Sequence, residues 1–202
     1  WGLWIAIGWS VAGLVWAALL GPWVFVGALA GVALSWAYSA PPIRLKRSGI
    51  FGPLSVGFSY EGIAWFTGAA VMVQSLPDPK IITIATLFSL GAYGIMILND
   101  FKAVEGDRRM GLNSLPARLG AERAAWVACI AMIVPQLAVI GLLMTWAPAW
   151  FAGLVFLSVL LQVALMFRLM RDPERLAPWF NATGILLYVL GMLASAFALS
   201  AM

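Results

Sequence analysis

The chain has 202 residues, of which 63% are hydrophobic and 10% are charged, and its net charge is +4. A soluble domain carries about 25% charged residues, so this composition excludes an ordinary soluble protein and indicates a polytopic membrane protein. The chain has no histidine and one cysteine, Cys129. That excludes Ser-His-Asp and Cys-His catalysis, histidine metal sites and an intrachain disulfide. We expect the lipid bilayer as a partner and no nucleic acid.

Seven apolar segments are long enough to cross a bilayer, which takes about 17–25 residues each. All should be α-helices, because a backbone in lipid must satisfy its own hydrogen bonds. Their predicted ranges are roughly 3–20, 22–40, 51–74, 81–98, 124–146, 148–167 and 179–200. The sequence begins at Trp1 and enters an apolar run directly, so we expect an internal fragment or a processed product rather than a signal peptide.

The connections between these segments differ sharply in charge. Eleven of the twelve basic residues lie in the connections 41–50, 99–123 and 168–178, and the alternate connections hold only Lys80. The positive-inside rule places the three charged loops in the cytoplasm. Seven spans then put the start of the chain in the cytoplasm and its end on the opposite side.

Among the polar residues inside the apolar segments, three carry predictions. Glu61 is about ten residues into its helix, roughly 15 Å deep, where a charge costs at least about 2.5 kcal/mol. It either lines a substrate cavity, together with Ser59 and Tyr60, or is protonated and hydrogen-bonds to a neighbouring helix; we favour the cavity. Gln136 and Gln162 are predicted to be hydrogen-bond partners between helices.

The stretch 98–120 is a charged island between two apolar runs. Asp100 and Asp107 are seven residues apart, so on a continuous helix they share a face, and a helix loosened at Gly106 lets Glu105 join them. Carboxylates beside a diphosphate suit Mg²⁺, which takes one or two of them and completes its shell with water and phosphate. The alternative is a solvated loop whose charges only set the topology. Acidic residues contribute little to topology, so we favour Mg²⁺, with Arg108 and Arg109 contacting diphosphate oxygens.

A basic stretch precedes the third segment. Pro41 and Pro42 are expected to hold the backbone extended after the second helix. Four side chains then reach the membrane face of the acidic island: Tyr38, Arg44, Lys46 and Arg47. A basic and an acidic cluster on one face are complementary to Mg²⁺-diphosphate. Loop 168–178 is interpreted as an ordinary anchor.

Three stretches resemble the UbiA superfamily of intramembrane prenyltransferases, and within it most closely the chlorophyll and bacteriochlorophyll synthases. They are YSAPPIRLKR at 38–47, GFSYEGIAWFTGA at 57–69 and NDFKAVEGDRRMGLNSLPARLG at 99–120. The resemblance implies an all-α polytopic bundle of about nine spans, of which seven are present here. It also implies two acidic motifs on cytoplasmic loops that hold Mg²⁺ and an isoprenoid diphosphate.

The second of those motifs corresponds to 99–107. By resemblance, the metal ligands are Asp100, Glu105 and Asp107; the substrate-binding residues are Tyr38, Arg44, Lys46, Arg47, Glu61, Asn99 and Arg108; and the catalytic residues are Asp100, Asp107 and Lys46. Ala103 stands where the commoner superfamily pattern has Asp, a departure that favours the chlorophyll branch.

A second departure concerns completeness. The first acidic motif, NDxxDxxxD, and the first two spans of the superfamily are absent from this sequence. We therefore expect residues 1–202 to be the C-terminal part of a single transmembrane prenyltransferase domain that is inactive alone, the full-length protein being the enzyme.

The implied reaction transfers a geranylgeranyl or phytyl group from its diphosphate to the propionate carboxylate of (bacterio)chlorophyllide a, the last step of (bacterio)chlorophyll synthesis. The implied setting is a bacterial inner (intracytoplasmic, photosynthetic) membrane, with pigment–protein assembly factors as further candidate partners. One alternative is a UbiA-type prenyltransferase for a quinone precursor or haem. Another is a non-enzymatic transporter or pigment-assembly protein. Transporters favour broken helices and pigment holders offer histidines, and neither feature is evident in the sequence.

Overall fold

The computed structural model describes residues 1–201, which form an all-helical bundle. Its helices are α1 (Gly2–Leu20), α2 (Pro22–Ser39), α3 (Phe51–Gly57), α4 (Ala64–Val73), α5 (Pro79–Asp100), α6 (Val104–Met110), α7 (Leu115–Leu119), α8 (Ala121–Trp146), α9 (Ala149–Leu169) and α10 (Pro173–Ser200). A π-helical turn, Phe58–Ile63, joins α3 to α4 in one helical rod. Among residues 1–201, seven helical segments are long and apolar enough to span a membrane. The predicted all-α membrane bundle is confirmed.

The last helix begins earlier than hydrophobicity predicts, at Pro173 instead of residue 179. The Asp172 side chain accepts a hydrogen bond from the Arg175 backbone N–H at 3.2 Å, and Pro173 occupies the first helical position. Both features favour a helix start. Charged residues in this first turn hide the start from a reading based on apolar residues alone.

Helix α5 is the centre of the bundle. Ten of its residues are buried, and it packs against α3, α4, α8 and α10. Tyr188 of α10 is fully buried, and its hydroxyl donates to the backbone carbonyl of Phe88 at 2.5 Å. Its ring meets the Phe88 ring edge-on, with 5.4 Å between centroids. The charged segment that follows α5 is therefore attached to the most firmly packed helix.

A buried amide pair joins α8 to α9. Gln136 Nε2 donates to Gln162 Oε1 at 3.1 Å, and Gln162 Nε2 donates back to Gln136 Oε1 at 3.0 Å. Both side chains are fully buried. The prediction that these glutamines bond between helices is confirmed.

Replacing Gly94 with Ala is expected to destabilise the bundle by about 1–3 kcal/mol, the usual cost of overpacking. A Cβ at Gly94 collides with the backbone carbonyl of Ala128 and the side chain of Met132, where α5 approaches α8. The matched control is Gly153→Ala, because a Cβ there meets nothing within 4 Å. Thermal unfolding of the purified protein in detergent measures both changes, and equal melting temperatures for the two variants contradict the prediction.

The three charged connections lie together at one end of the bundle. The first meets the second through a backbone bridge between Ser48 and Asn113. The second meets the start of α10, where Lys102 shares a cavity with Asn181. At the other end, the Lys80 ammonium lies over the Trp146 ring, 5.5 Å from its centroid. The side of the membrane on which the charged end lies stays a prediction.

Candidate active site

A polar cavity of about 270 Å³ opens at the charged end, between the C-terminal ends of α2 and α5, the start of α3, and the loops next to them. It is lined by Tyr38, Lys46, Ser48, Gly49, Gly52, Pro53, Val56, Met96, Asn99, Asp100, Asp107, Leu112 and Ser114. Five of the predicted site residues share it: Tyr38, Lys46, Asn99, Asp100 and Asp107. We call it the Asp100–Asp107 cavity.

The acidic side of the cavity comes from two helices. Asp100 is the last residue of α5, a 3₁₀ turn follows at Phe101–Ala103, and Asp107 belongs to α6. The expected continuous helix is therefore interrupted. Phe101 is buried while the next two residues are exposed, so its side chain fixes the turn against the bundle. The two aspartates still line one cavity.

The remaining charges of this segment lie outside the cavity. Glu105 is 79% exposed and pairs with Arg109, one helical turn away. Arg108 is exposed as well. Helix α6 runs without interruption through Gly106, which therefore does not loosen the helix. The roles of Glu105 as a metal ligand and of Arg108 as a diphosphate ligand stay predictions.

The basic side of the cavity comes from a short turn after α2. Lys46 lies in the 3₁₀ turn Leu45–Arg47 and lines the cavity, whereas Arg47 is exposed outside it. Arg44 has a left-handed backbone (φ 46°), and its buried Nε has no hydrogen-bond partner among the described residues. The prediction of an extended backbone after Pro41 is wrong. The Arg44 N–H donates to the Ala40 carbonyl at 3.1 Å, which curls the segment into a turn.

Close packing of two loops shapes the cavity wall. Gly49 is buried, and a Cβ there collides with the backbone carbonyl of Asn113. Ser48 accepts a hydrogen bond from the Phe51 N–H at 3.1 Å and so starts α3. Ser114 lines the cavity with a buried hydroxyl that has no partner among the described residues. Neither serine was predicted from the sequence, since an isolated serine in a loop carries no distinctive pattern.

Glu61 lies in the π-helical turn and is half-buried. Such turns are frequent at functional sites. Its neighbours Ser59 and Tyr60 line a second cavity of about 460 Å³, which shares Tyr38 and Val56 with the Asp100–Asp107 cavity. Glu61 is not among the lining residues of either cavity. Its placement in a substrate cavity stays a prediction.

Two more cavities extend this path into the apolar part of the bundle. One of about 280 Å³ shares Leu34 and Ser55 with the second cavity. Another, of about 260 Å³, shares Phe58 and Ile63 with that one and reaches Ile82 on α5. Met96 and Ile82 are fourteen positions apart, which corresponds to about 21 Å along a helix. A row of adjacent cavities thus leads from the polar cavity to a largely apolar groove between α2 and the α3–α4 rod.

The donor set of the Asp100–Asp107 cavity fits a divalent cation. Two carboxylates, the Asn99 amide and the unpartnered Ser114 hydroxyl are hard oxygen donors. Mg²⁺ is bound by one or two carboxylates, its other ligands being water and substrate phosphate. Among residues 1–201, no three Asp, Glu, His or Cys side chains are gathered as a complete metal site. A cation bound here would need further ligands besides the two carboxylates, such as water or substrate phosphate.

Similarity to known proteins agrees with this arrangement. Residues 2–193 match the UbiA prenyltransferase family. The bacteriochlorophyll synthase 33 kDa chain of Cereibacter sphaeroides is 50% identical over 98% of this chain, and this chain spans 66% of its length. The chloroplastic chlorophyll synthase of Arabidopsis thaliana is 36% identical over 97% of this chain, which spans 51% of its length. The chain thus spans less than two thirds of the length of these relatives.

A solved structure shares the fold. A digeranylgeranylglyceryl phosphate synthase superposes with a TM-score of 0.74 over 94% of this chain and 66% of its own, at 17% sequence identity. This likeness concerns the arrangement of the helices alone. The family match covers nearly the whole chain, and two relatives exceed 30% identity over almost all of it. The chain therefore belongs to the UbiA prenyltransferase family.

Proposed function

We propose that the whole protein transfers a geranylgeranyl or phytyl group from its diphosphate to the propionate carboxylate of chlorophyllide a or bacteriochlorophyllide a. One observation carries the proposal: Lys46, Asp100 and Asp107 share a cavity, and adjacent cavities lead from it to a largely apolar groove. An isoprenoid diphosphate has this same polarity, a charged head on an apolar chain. The names of the relatives support the choice of the acceptor.

In this proposal Lys46 donates hydrogen bonds to the diphosphate, and Tyr38 lies where the head meets the chain. Asp100 and Asp107 would hold a divalent cation, on which this family generally depends and for which we propose Mg²⁺. Such a cation, when bound, neutralises diphosphate charge. The groove takes up the chain and excludes water from the allylic carbon, which becomes cation-like as the C–O bond breaks.

The electron pair of that bond leaves with the diphosphate, and an oxygen of the acceptor carboxylate forms the new ester bond to the same carbon. A carboxylate is already ionised at neutral pH, so the reaction needs no strong general base. A chain without histidine suits this chemistry. We also propose that the charged end faces the cytoplasm of a photosynthetic bacterium, where pigment-assembly factors have access to the product.

Transfer assays with the full protein, as its gene encodes it, test this proposal. Membrane vesicles containing the protein receive geranylgeranyl or phytyl diphosphate, Mg²⁺ and one acceptor: chlorophyllide a, bacteriochlorophyllide a, 4-hydroxybenzoate or haem. Esterified pigment is expected, with aromatic acceptors and haem at the background of empty vesicles. Prenylation of 4-hydroxybenzoate or haem instead favours the quinone or haem branch. No transfer to any acceptor contradicts the enzymatic assignment.

A further inference from the structure

A second polar pocket, of about 210 Å³, lies next to the Asp100–Asp107 cavity and has no role in the proposal above. It is lined by Leu98, Asn99, Lys102, Pro178 and Asn181. We call it the Lys102 pocket. The turn Phe101–Ala103 packs against α10 and so brings Lys102 towards Asn181. Asn99 lines both cavities, so the two are adjacent.

The lining of the Lys102 pocket suits an oxyanion. It offers one ammonium group and two side-chain amides, and none of the described residues that line it is acidic. Asn181 Oδ1 is buried without a hydrogen-bond partner among residues 1–201. Buried polar groups are normally paired, so an unpaired amide beside a pocket indicates a missing partner. The donors available to a bound oxyanion are the Lys102 ammonium and the NH₂ groups of Asn99 and Asn181, and carboxylate oxygens can accept from all three.

Electrostatics explains why a carboxylate needs a place of its own. Asp100 and Asp107 line the first cavity, and a diphosphate adds further negative charge there. The proposed divalent cation and Lys46 together do not cancel the charge of two aspartates and a diphosphate, so a third carboxylate is still repelled from that cavity. We propose, on the basis of the function above, that the Lys102 pocket binds the carboxylate of the acceptor. Asn99 then holds it next to the diphosphate.

Binding measurements without a diphosphate test this inference. The full protein in detergent is titrated with the acceptor pigment as the free acid and as its methyl ester, which keeps the ring but lacks the charge. The wild type is expected to bind the acid about tenfold more tightly, as a charge-assisted hydrogen bond predicts. Lys102→Met and the isosteric Asn181→Asp should reduce this preference to about twofold or less, with the affinity for the ester unchanged.

Arg171→Gln is the matched control, because Arg171 is exposed at the same end of the bundle and does not line the pocket. It should keep the full preference for the acid. Equal binding of acid and ester by the wild type overturns the inference, and so does a preference that survives both pocket substitutions.

A phospholipid headgroup offers similar oxyanion chemistry, so the wild-type titration is repeated with added phosphatidylglycerol. A preference for the acid that the lipid abolishes assigns the pocket to the headgroup and overturns the acceptor assignment. If the proposed function is wrong, the transfer assay yields no esterified pigment, whatever the affinities for the acid and the ester are. A protein that binds neither form of the pigment refutes both proposals.

Discussion

Replacing Asp107 with Asn in the full protein is expected to lower the turnover number by at least about a hundredfold, the usual cost of losing a group that stabilises transition-state charge. Asp107 and Asp100 line the cavity that also holds Lys46, and among residues 1–201 only these two bring carboxylates to it. Asn preserves the shape and removes the charge, so it loses affinity for a hard cation. Steady-state esterification over a range of Mg²⁺ concentrations measures the effect.

Asp100→Asn should behave like Asp107→Asn, because both carboxylates border the same small volume. Glu122→Gln is the matched control, an exposed acidic residue in the first turn of α8. Its turnover and Mg²⁺ dependence should equal those of the wild type. Turnover of Asp107→Asn that stays at the wild-type level when Mg²⁺ is limiting contradicts the metal assignment.

The Glu105→Gln variant tests whether Glu105 binds the cation together with the two aspartates or whether the aspartates bind it without Glu105. If the side chain keeps its pairing with Arg109, the substitution should change the Mg²⁺ dependence by about threefold or less, as for a surface ion pair. A loss equal to that of Asp107→Asn means that Glu105 leaves Arg109 and joins the two aspartates. The apparent Mg²⁺ affinities of Asp100→Asn, Glu105→Gln and Asp107→Asn, measured in one assay, distinguish these two possibilities.

The helices are well predicted from the sequence because a backbone in lipid must satisfy its own hydrogen bonds. The apolar ranges locate seven spans, and Gln136 and Gln162 are identified as partners because an amide in an apolar helix needs another amide or a carbonyl. Boundaries are harder. Helix α10 extends into the charged connection because Asp172 caps it, which a reading based on apolar residues cannot detect.

The site is predicted in part. Charge alone identifies Asp100, Asp107 and Lys46 as residues of one membrane face, and the structure places them in one cavity. The course of the chain inside the charged loops is not predictable in this way. The curl after Ala40 and the turn after Asp100 depend on hydrogen bonds and on the burial of Phe101, none of which has a periodic signature.

Packing between loops cannot be predicted from the sequence either. Ser48 and Ser114 line the cavity because Gly49 lets the two loops touch, a contact between residues more than sixty positions apart. The groove between α2 and the α3–α4 rod has the same origin. Its apolar lining residues cannot be told from other apolar residues of a membrane helix until the helices are assembled.

Replacing Lys46 with Met is expected to lower kcat/KM for the isoprenoid diphosphate by about a hundredfold. Lys46 is the only basic side chain among the described residues that line the Asp100–Asp107 cavity. Negative charge on the diphosphate grows as the C–O bond breaks, so an ammonium group beside it binds the transition state more tightly than the substrate. The substitution should therefore lower kcat as well as raise KM for the diphosphate. Met keeps the apolar length of the side chain and removes only its charge.

The carboxylate acceptor serves as the internal control for the Lys46→Met variant. Its KM should change by about twofold or less, since in our proposal the acceptor is held by Lys102 on the other side of Asn99. Arg118→Met is the matched control, because Arg118 is exposed at the same end of the bundle and lies outside both cavities. The inhibition constant of inorganic diphosphate offers a second measurement and should rise with the KM of the donor. If Lys46→Met changes neither the inhibition constant nor kcat, the role of Lys46 is refuted. Arg44 is then the alternative ligand of the diphosphate, because its buried guanidinium Nε has no partner among residues 1–201.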